Sequence, residues 1–276
     1  MRTWLITGAS RGFGTLIAQQ ALAAGDAVIA TARNPQDIET RLGQHPNLLA
    51  VRLDVTREDE AHAAVSAGIK RFGRIDVLVN NAGFGVLGAV EETSASETER
   101  LFATNVFGVL NVTRAVLPHM RRQRSGHVIN ISSLGGYQAY MGWGVYGSTK
   151  FAVEGISEAM HQELAPLGIK VTVVEPGFFR TDFLDDQSLV KTALELADYD
   201  ATVGAMRNHA EAANHAQPGN PEKLAEALLT LVNASNPPLR LALGSDAVAR
   251  IEAKHRVVEQ ELAQWRALSL STDFAA

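Results

Sequence analysis

Short runs of consecutive apolar residues recur at 4–7, 27–31, 48–53, 76–80, 127–131, 170–174 and 239–243, each bounded by turn-forming residues. Runs rich in Val, Ile and Leu with no polar alternation suit strands covered on both faces. Between them, at 13–24, 57–72, 96–122, 146–165 and 221–233, the apolar positions and segment lengths suit helices with one buried face. Strand and helix in alternation predict right-handed βαβ crossovers and an α/β fold built on a doubly wound parallel sheet.

The alternation breaks after the sixth run. Residues 178–220, from Phe178-Phe179-Arg180-Thr181-Asp182-Phe183 to Gln217-Pro218-Gly219-Asn220-Pro221, read as irregular. A long insertion at the carboxyl end of a parallel strand predicts a lid over a ligand, the alternative being a solvated excursion. Residues 244–276 form a C-terminal extension. Its 244–270 part reads as an amphipathic helix, with Val248, Ile251, Val258, Leu262 and Trp265 expected to pack. One domain over 1–276 accommodates all of this, since the chain is short for two independent cores.

Composition narrows the function classes. A net charge of −5 gives no basic surface for nucleic acid or anionic lipid, and with no cysteine there is neither a disulfide nor a thiolate metal site. No leader pattern opens the chain and no run approaches the roughly 18 apolar residues of a membrane span, so a cytoplasmic protein without membrane attachment is expected. His161, His209 and His215 lack a ligand set at recognisable spacing, and no metal is expected.

Directly after the first predicted strand comes Thr7-Gly8-Ala9-Ser10-Arg11-Gly12-Phe13-Gly14, opening the first helix. Glycines there let the backbone turn tightly and approach a pyrophosphate, and the free N–H groups of a helix start attract anions. The Gly-x3-Gly-x-Gly spacing departs from G-x-G-x-x-G and points to another branch of the dinucleotide folds. The second strand ends at Arg33 where an NAD site places an acid. With Arg11, its guanidinium suits a 2′-phosphate, so NADP(H) is favoured over NAD(H); the alternative is two solvated arginines. Asp54 and Val55 close the third strand, where they reach an adenine or form an exposed loop. Asn81-Ala82-Gly83 closes the fourth, where small residues permit close passage of a cofactor or simply make a turn.

Tyr146 and Lys150 stand four apart in the predicted helix, which puts phenol and ammonium on one face. A phenol exchanges protons poorly at neutral pH unless a cation favours the phenolate, and Lys150 is expected to lower its pKa. Ser133 lies thirteen residues before Tyr146.

These segments together resemble the short-chain dehydrogenase/reductase family: the loop at 7–14, Asn81-Ala82-Gly83, Asn105 within a long helix, Ser133, Tyr146 with Lys150, and Pro176-Gly177. The stretches from Asn81 to Gly88 and from Tyr146 to Glu158 are similar to its 17β-hydroxysteroid dehydrogenase-like branch, which is mixed in substrate. The resemblance implies a Rossmann fold with a seven-stranded parallel sheet, and hydride transfer between nicotinamide and a carbonyl or alcohol carbon. It implies that Tyr146 is the general acid/base, that Lys150 tunes it and holds the nicotinamide ribose, and that Ser133 holds the substrate oxygen. Asn105 would anchor a water leading from Lys150, or else simply pack or kink its helix. Neighbouring side chains of an extended segment face opposite ways, so Ser132 would point away from the site.

Pro176, Gly177 and Phe178 are expected beside the nicotinamide amide, with Thr181 on the carboxamide or phosphates. Phe178 and Phe179 serve there or as hydrophobic plugs. Leu134, Gly135, Tyr140 and Trp143, with Phe84 and Phe183, are expected to line an apolar substrate cleft. The predicted activity is an NADP(H)-dependent alcohol dehydrogenase or carbonyl reductase of hydrophobic ketones and secondary alcohols, the alternative being a non-catalytic NADP-binding sensor or scaffold. Family habit adds a homodimer or homotetramer through 96–122 and 146–165.

Overall fold

A computed structural model describes residues 1–274. Its elements are β1 (Thr3–Thr7), α1 (Gly12–Ala23), β2 (Ala27–Ala32), α2 (Pro35–Leu42), β3 (Leu48–Arg52), α3 (Glu58–Phe72), β4 (Val77–Asn80) and β5 (Gly85–Leu87). They continue through α4 (Ala95–Phe102), α5 (Gly108–Gln123), β6 (Gly126–Ile131), α6 (Gly144–Leu164) and β7 (Ile169–Pro176). Last come β8 (Leu189–Lys191), α7 (Ala205–Ala213), α8 (Pro221–Asn233), β9 (Arg240–Leu243) and α9 (Ser245–Leu270). Seven parallel strands form one sheet in the order β3-β2-β1-β4-β6-β7-β9.

Strand alternation divides the core between the two faces. Trp4, Ile6, Val28, Ala30, Val77 and Val79 meet Ile17, Ala18 and Ala21 of α1 and Leu224 and Leu228 of α8. Their neighbours Leu5, Ile29 and Leu78 point the other way, onto Val65 of α3, Val112 and Val116 of α5 and Met160 of α6. Both sets are fully or almost fully buried, and a buried aliphatic side chain contributes about 1.5–3 kcal/mol. That two-sided cover explains why the strands read as unbroken apolar runs.

Strand order reverses between β1 and β4, so the loops after these strands part and leave a crevice at their carboxyl ends. The helix from Ala95 to Gln123 is continuous but carries a π-helical turn at Ala103–Phe107 between α4 and α5. By length and composition it could cross a membrane, yet more than half of its most apolar window is buried inside the domain.

Two sequence expectations fail. The first fails in part: within 178–220, β8 pairs in parallel with β5 as a second small sheet and α7 follows, with irregular stretches between them. β5 and β8 are three residues long, too short for a periodicity to register. The second failure is α9, where Val248, Val258, Leu262 and Trp265 are exposed and Ile251 is half-buried. Only the first turns of α9 lie against the body, so amphipathicity beyond them meets no partner among the described residues.

Candidate active site

The crevice is a cavity of about 940 Å³ that runs from the loop after β1, past β4 and β6, to the segment after β7. Gly8 and Gly12 adopt left-handed φ values of 66° and 54°, which turn the loop after β1 tightly into α1. A Cβ on Gly14 would lie 2.3 Å from the Gly8 carbonyl oxygen, so the helix presses directly on its own loop. A Cβ on Gly12 would meet nothing within 4 Å. Thr7 and Asn81 lock this loop to the end of β4: the Thr7 hydroxyl accepts from the Asn81 and Ala82 N–H groups at 2.9 and 3.0 Å. The Asn81 amide donates to the Thr7 and Gly8 carbonyls at 2.9 and 3.1 Å.

A dinucleotide fits this end. The first turn of α1 has no side-chain cap and no acid, so its N–H groups and the helix dipole remain for a phosphate. Gly8, Ser10, Arg11, Gly12 and Phe13 line the cavity there, whereas Gly14 serves by packing. Arg33, Asp54 and Val55 line its far end. Arg33 is exposed, and its guanidinium has no hydrogen bond or ion pair among the described residues. Asp54 is partly engaged, its carboxylate accepting from the N–H and hydroxyl of Thr56 at 3.0 and 2.8 Å. Arg11 departs from expectation: its guanidinium donates to the side-chain and backbone oxygens of Gln187, both at 2.8 Å, and so ties the glycine loop to the lid.

The chemistry-bearing groups converge where β6 and α6 meet. Extended backbone at Ser133 turns its hydroxyl toward the cavity, where it accepts from the Gly135 N–H at 3.0 Å. Ser132, one residue earlier, is buried on the opposite side against Glu154. Tyr146 and Lys150 stand one turn apart on α6, both 7% exposed. Lys150 Nζ lies 5.8 Å from the Tyr146 ring centroid and donates to the Ile131 carbonyl at 2.9 Å.

The electrostatics differ from the sequence reading. Burial pushes the Tyr146 phenol up to about 12, and the Ser133 hydroxyl is the neighbour that pulls it down. Burial lowers Lys150 to about 8, with Glu154 opposing. A full charge about 6 Å away is worth about 3 kcal/mol at an effective dielectric near 20, too little to overturn desolvation of a buried phenolate. At neutral pH the pair is therefore phenol and ammonium, a proton donor beside a cation.

Asn105 forms part of the π-helical turn. Its side chain accepts from the Phe84 N–H at 3.1 Å and donates to the Phe84 carbonyl at 2.9 Å and to Thr149 at 3.2 Å. Asn105 thus clamps the start of β5 to α6 beside Lys150. Gly83 passes close by, since a Cβ there would lie 3.1 Å from the Asn105 oxygen.

On the substrate side, Trp143 meets Tyr146 edge-on at 5.6 Å and stacks with Phe183 at 6.4 Å. Leu134, Gly135, Tyr140 and Phe84 complete this wall. The Tyr140 hydroxyl is buried without a partner. Pro176, which ends β7 rather than following it, and Gly177, Phe178 and Thr181 border the cavity. Phe179 also lines it, and packs edge-on against Phe13 at 5.4 Å as a plug between lid and glycine loop. The Thr181 hydroxyl accepts from the Phe183 N–H at 3.3 Å, capping the short 3-10 turn Asp182–Leu184.

Several residues escaped the sequence reading. Gln187 and Gln217 come to the cavity from the lid, and both amide ends of Gln217 are buried without a partner. Behind Ser132, Glu154 and Glu175 share Arg240 at 3.2 and 3.3 Å. Burial raises both carboxyls, and the charge of Glu154 raises Glu175 further. Glu154 was findable, being one turn beyond Lys150 on the same face; Glu175 and Arg240 meet it only through the sheet. Among the described residues no cluster of three His, Cys, Asp or Glu side chains could hold a metal.

Comparison with known proteins agrees with this geometry. The short chain dehydrogenase family matches residues 2–192. A 3-ketodihydrosphingosine reductase of Bacteroides thetaiotaomicron is 39% identical over 244 residues, 87% of each chain. The crystal structure of a short-chain dehydrogenase from Streptomyces avermitilis superposes with a TM-score of 0.92 at 43% identity, covering 99% of both chains. A serine dehydrogenase complexed with NADP+ superposes with a TM-score of 0.73 at 29% identity over 87% of this chain and 94% of its own. The chain belongs to the short-chain dehydrogenase/reductase family, an oxidoreductase family, and solved structures similar to it are bound to NADP+ or NADH.

Proposed function

We propose that this short-chain dehydrogenase/reductase is an NADP(H)-dependent reductase of hydrophobic ketones, working in reverse as a dehydrogenase of secondary alcohols. The observation that carries the reading is the meeting of Ser133, Tyr146 and Lys150 on the wall of the cavity that also receives the glycine loop. A bound nicotinamide dinucleotide supplies or takes up the hydride at the carbonyl carbon.

The chain's own residues do the rest. Tyr146, protonated at neutral pH, gives its proton to the carbonyl oxygen as reduction places charge there, and takes it back in the oxidative direction. Ser133 donates a hydrogen bond to the same oxygen, stabilising the charge as it develops. Lys150 stays cationic below about pH 8 and favours the phenolate left after donation. The glycine loop, Asn81-Ala82-Gly83 and Pro176-Gly177 would hold the cofactor along the strand ends, with Thr181 reaching its nicotinamide end. Arg33, whose guanidinium has no partner among the described residues, supports preference for a 2′-phosphate.

Trp143, Phe183, Leu134 and Phe84 exclude water and favour an apolar body on the substrate. The unpartnered Tyr140 hydroxyl is suited to a second polar group on it. The Bacteroides relative, by name a reductase of a ketone, supports this class. A homodimer or homotetramer through α4, α5 and α6 is consistent with exposed Phe107, in the turn between α4 and α5, and exposed Phe151 on α6. A cytoplasmic setting is part of the same reading, with more than half of the most apolar helical window buried inside the domain.

The test is a panel of aliphatic and aromatic ketones and secondary alcohols, followed by the absorbance of reduced nicotinamide with NADPH and NADH separately. Turnover of apolar ketones with NADPH ahead of NADH is expected. Cofactor binding with no turnover of any member would favour a sensor instead.

A further inference from the structure

From residue 256 to residue 270, every residue of α9 is exposed, including Val257, Val258, Leu262, Trp265 and Leu268. The first half of the helix is anchored: Ala247 is buried, Arg250 lies over the Tyr140 ring at 4.7 Å, and His255 hydrogen-bonds Tyr137. The second half overhangs. A free helix of this length is marginal in water, and this one displays large apolar side chains that an unpartnered solvated helix does not need.

The pattern identifies what covers it. Ile251, His255, Val258, Leu262, Trp265 and Ser269 alternate at four- and three-residue steps, so the overhang carries a heptad seam of Val258, Leu262 and Trp265. Flanking it are Lys254, Glu259, Glu261 and Arg266. When two such helices run side by side in parallel and in register, the residue before one seam position faces the residue after the next on the partner helix. That rule pairs Lys254 with a second Glu259, and Glu261 with a second Arg266, opposite charges each time. An antiparallel pairing that keeps Val258 against Leu262 instead sets Glu259 against Glu259 and Glu261 against Glu261. With both helices counted, the parallel pair makes four such opposite-charge contacts, against two Glu259–Arg266 contacts when Leu262 is set antiparallel to Trp265, so charge favours the parallel pair.

We infer that the end of α9 is an association arm whose occupant is the same segment of a second copy of this chain. The arm is separate from the exposed faces of α5 and α6, and its pairing does not depend on the catalytic reading. The seam spans two heptads, so the contact is expected to loosen on dilution.

Sedimentation equilibrium of the full chain over a wide concentration range tests this. Leu262→Glu with Trp265→Glu should remove one association step, halving the mass of the assembled species, while the thermal melt and cofactor binding persist. Glu261→Arg, which sets like charges together, should weaken that step about tenfold, and adding Arg266→Glu should restore it. Trp4 and Trp143 are buried, so iodide quenching of wild type minus Trp265→Phe isolates Trp265 and should show it shielded. An unchanged mass for the folded double variant, no recovery on adding Arg266→Glu, or a freely quenched Trp265 overturns the inference. So does a wild-type chain that stays monomeric while its arm binds a membrane or another protein.

Discussion

The floor and the roof of the cavity are built on different principles. On the floor, Ser133 sits just past β6 and Tyr146 and Lys150 on α6, Tyr146 buried among core residues and the others fixed by backbone: Lys150 on the Ile131 carbonyl, Ser133 on the Gly135 N–H. Across the cavity, the lid is a chain of short pieces held by side chains to other side chains: Arg207 to Glu92 at 2.5 Å, and Arg11 to Gln187. In the proposed reaction, rigid secondary structure fixes where protons move. Polar tethers decide what enters and how tightly the cavity closes, and these can be changed without disturbing the floor.

The sharpest contrast comes from Lys150. Lys150→Met should lower reductive turnover by about 10²–10⁴, the range for a disabled acid/base device, in steady-state assays at neutral pH. Because burial holds this ammonium near 8, the wild-type rate should fall as pH rises through that value. Lys150→Arg keeps the cation, and should carry the falling limb to higher pH. A limb that stays in place would assign it to another group.

Next in size is the buried pair that holds the lid. Burial pushes Glu92 up, but the Leu196 and Ala89 N–H groups and Arg207 outweigh it and hold the carboxyl below its usual range. Glu92→Ala leaves Arg207, 8% exposed, with the Thr192 hydroxyl at 3.3 Å and the exposed Glu195 at 3.6 Å, which should cost about 3 kcal/mol and speed proteolysis within 189–213. Equal protection from protease in variant and wild type would show that the lid is held by its apolar contacts with β5.

The smallest effects belong at the cavity mouth. Arg33→Ala should weaken NADPH about tenfold in fluorescence titration and leave NADH nearly unchanged. Gln187→Ala removes one of the two hydrogen bonds from Arg11 to the lid, leaving the one to the backbone carbonyl, and should shift affinity only a few-fold, because exposed hydrogen bonds of this kind contribute little. Equal loss for both cofactors in Arg33→Ala would remove the phosphate from the account.

Local rules made the floor readable. The i,i+4 spacing of Tyr146 and Lys150, the alternation that separates Ser132 from Ser133, and the glycines ahead of α1 each follow from a helix or strand period. The roof obeys no period. Gln187 reaches Arg11 across 176 residues, and β8 finds β5 by three residue pairs. Lys150 showed a different limit: spacing gave its neighbour, but not that burial would dominate the phenol. α9 reversed the usual inference, since its apolar stripe is real and lies outside the core.

The most direct measurement is single-turnover reduction by Tyr146→Phe, using a ketone that wild type turns over, alongside a cofactor titration. Retained cofactor affinity with the hydride-transfer rate reduced at least about a hundredfold is predicted. A rate within a few-fold of wild type would contradict Tyr146 as the proton donor.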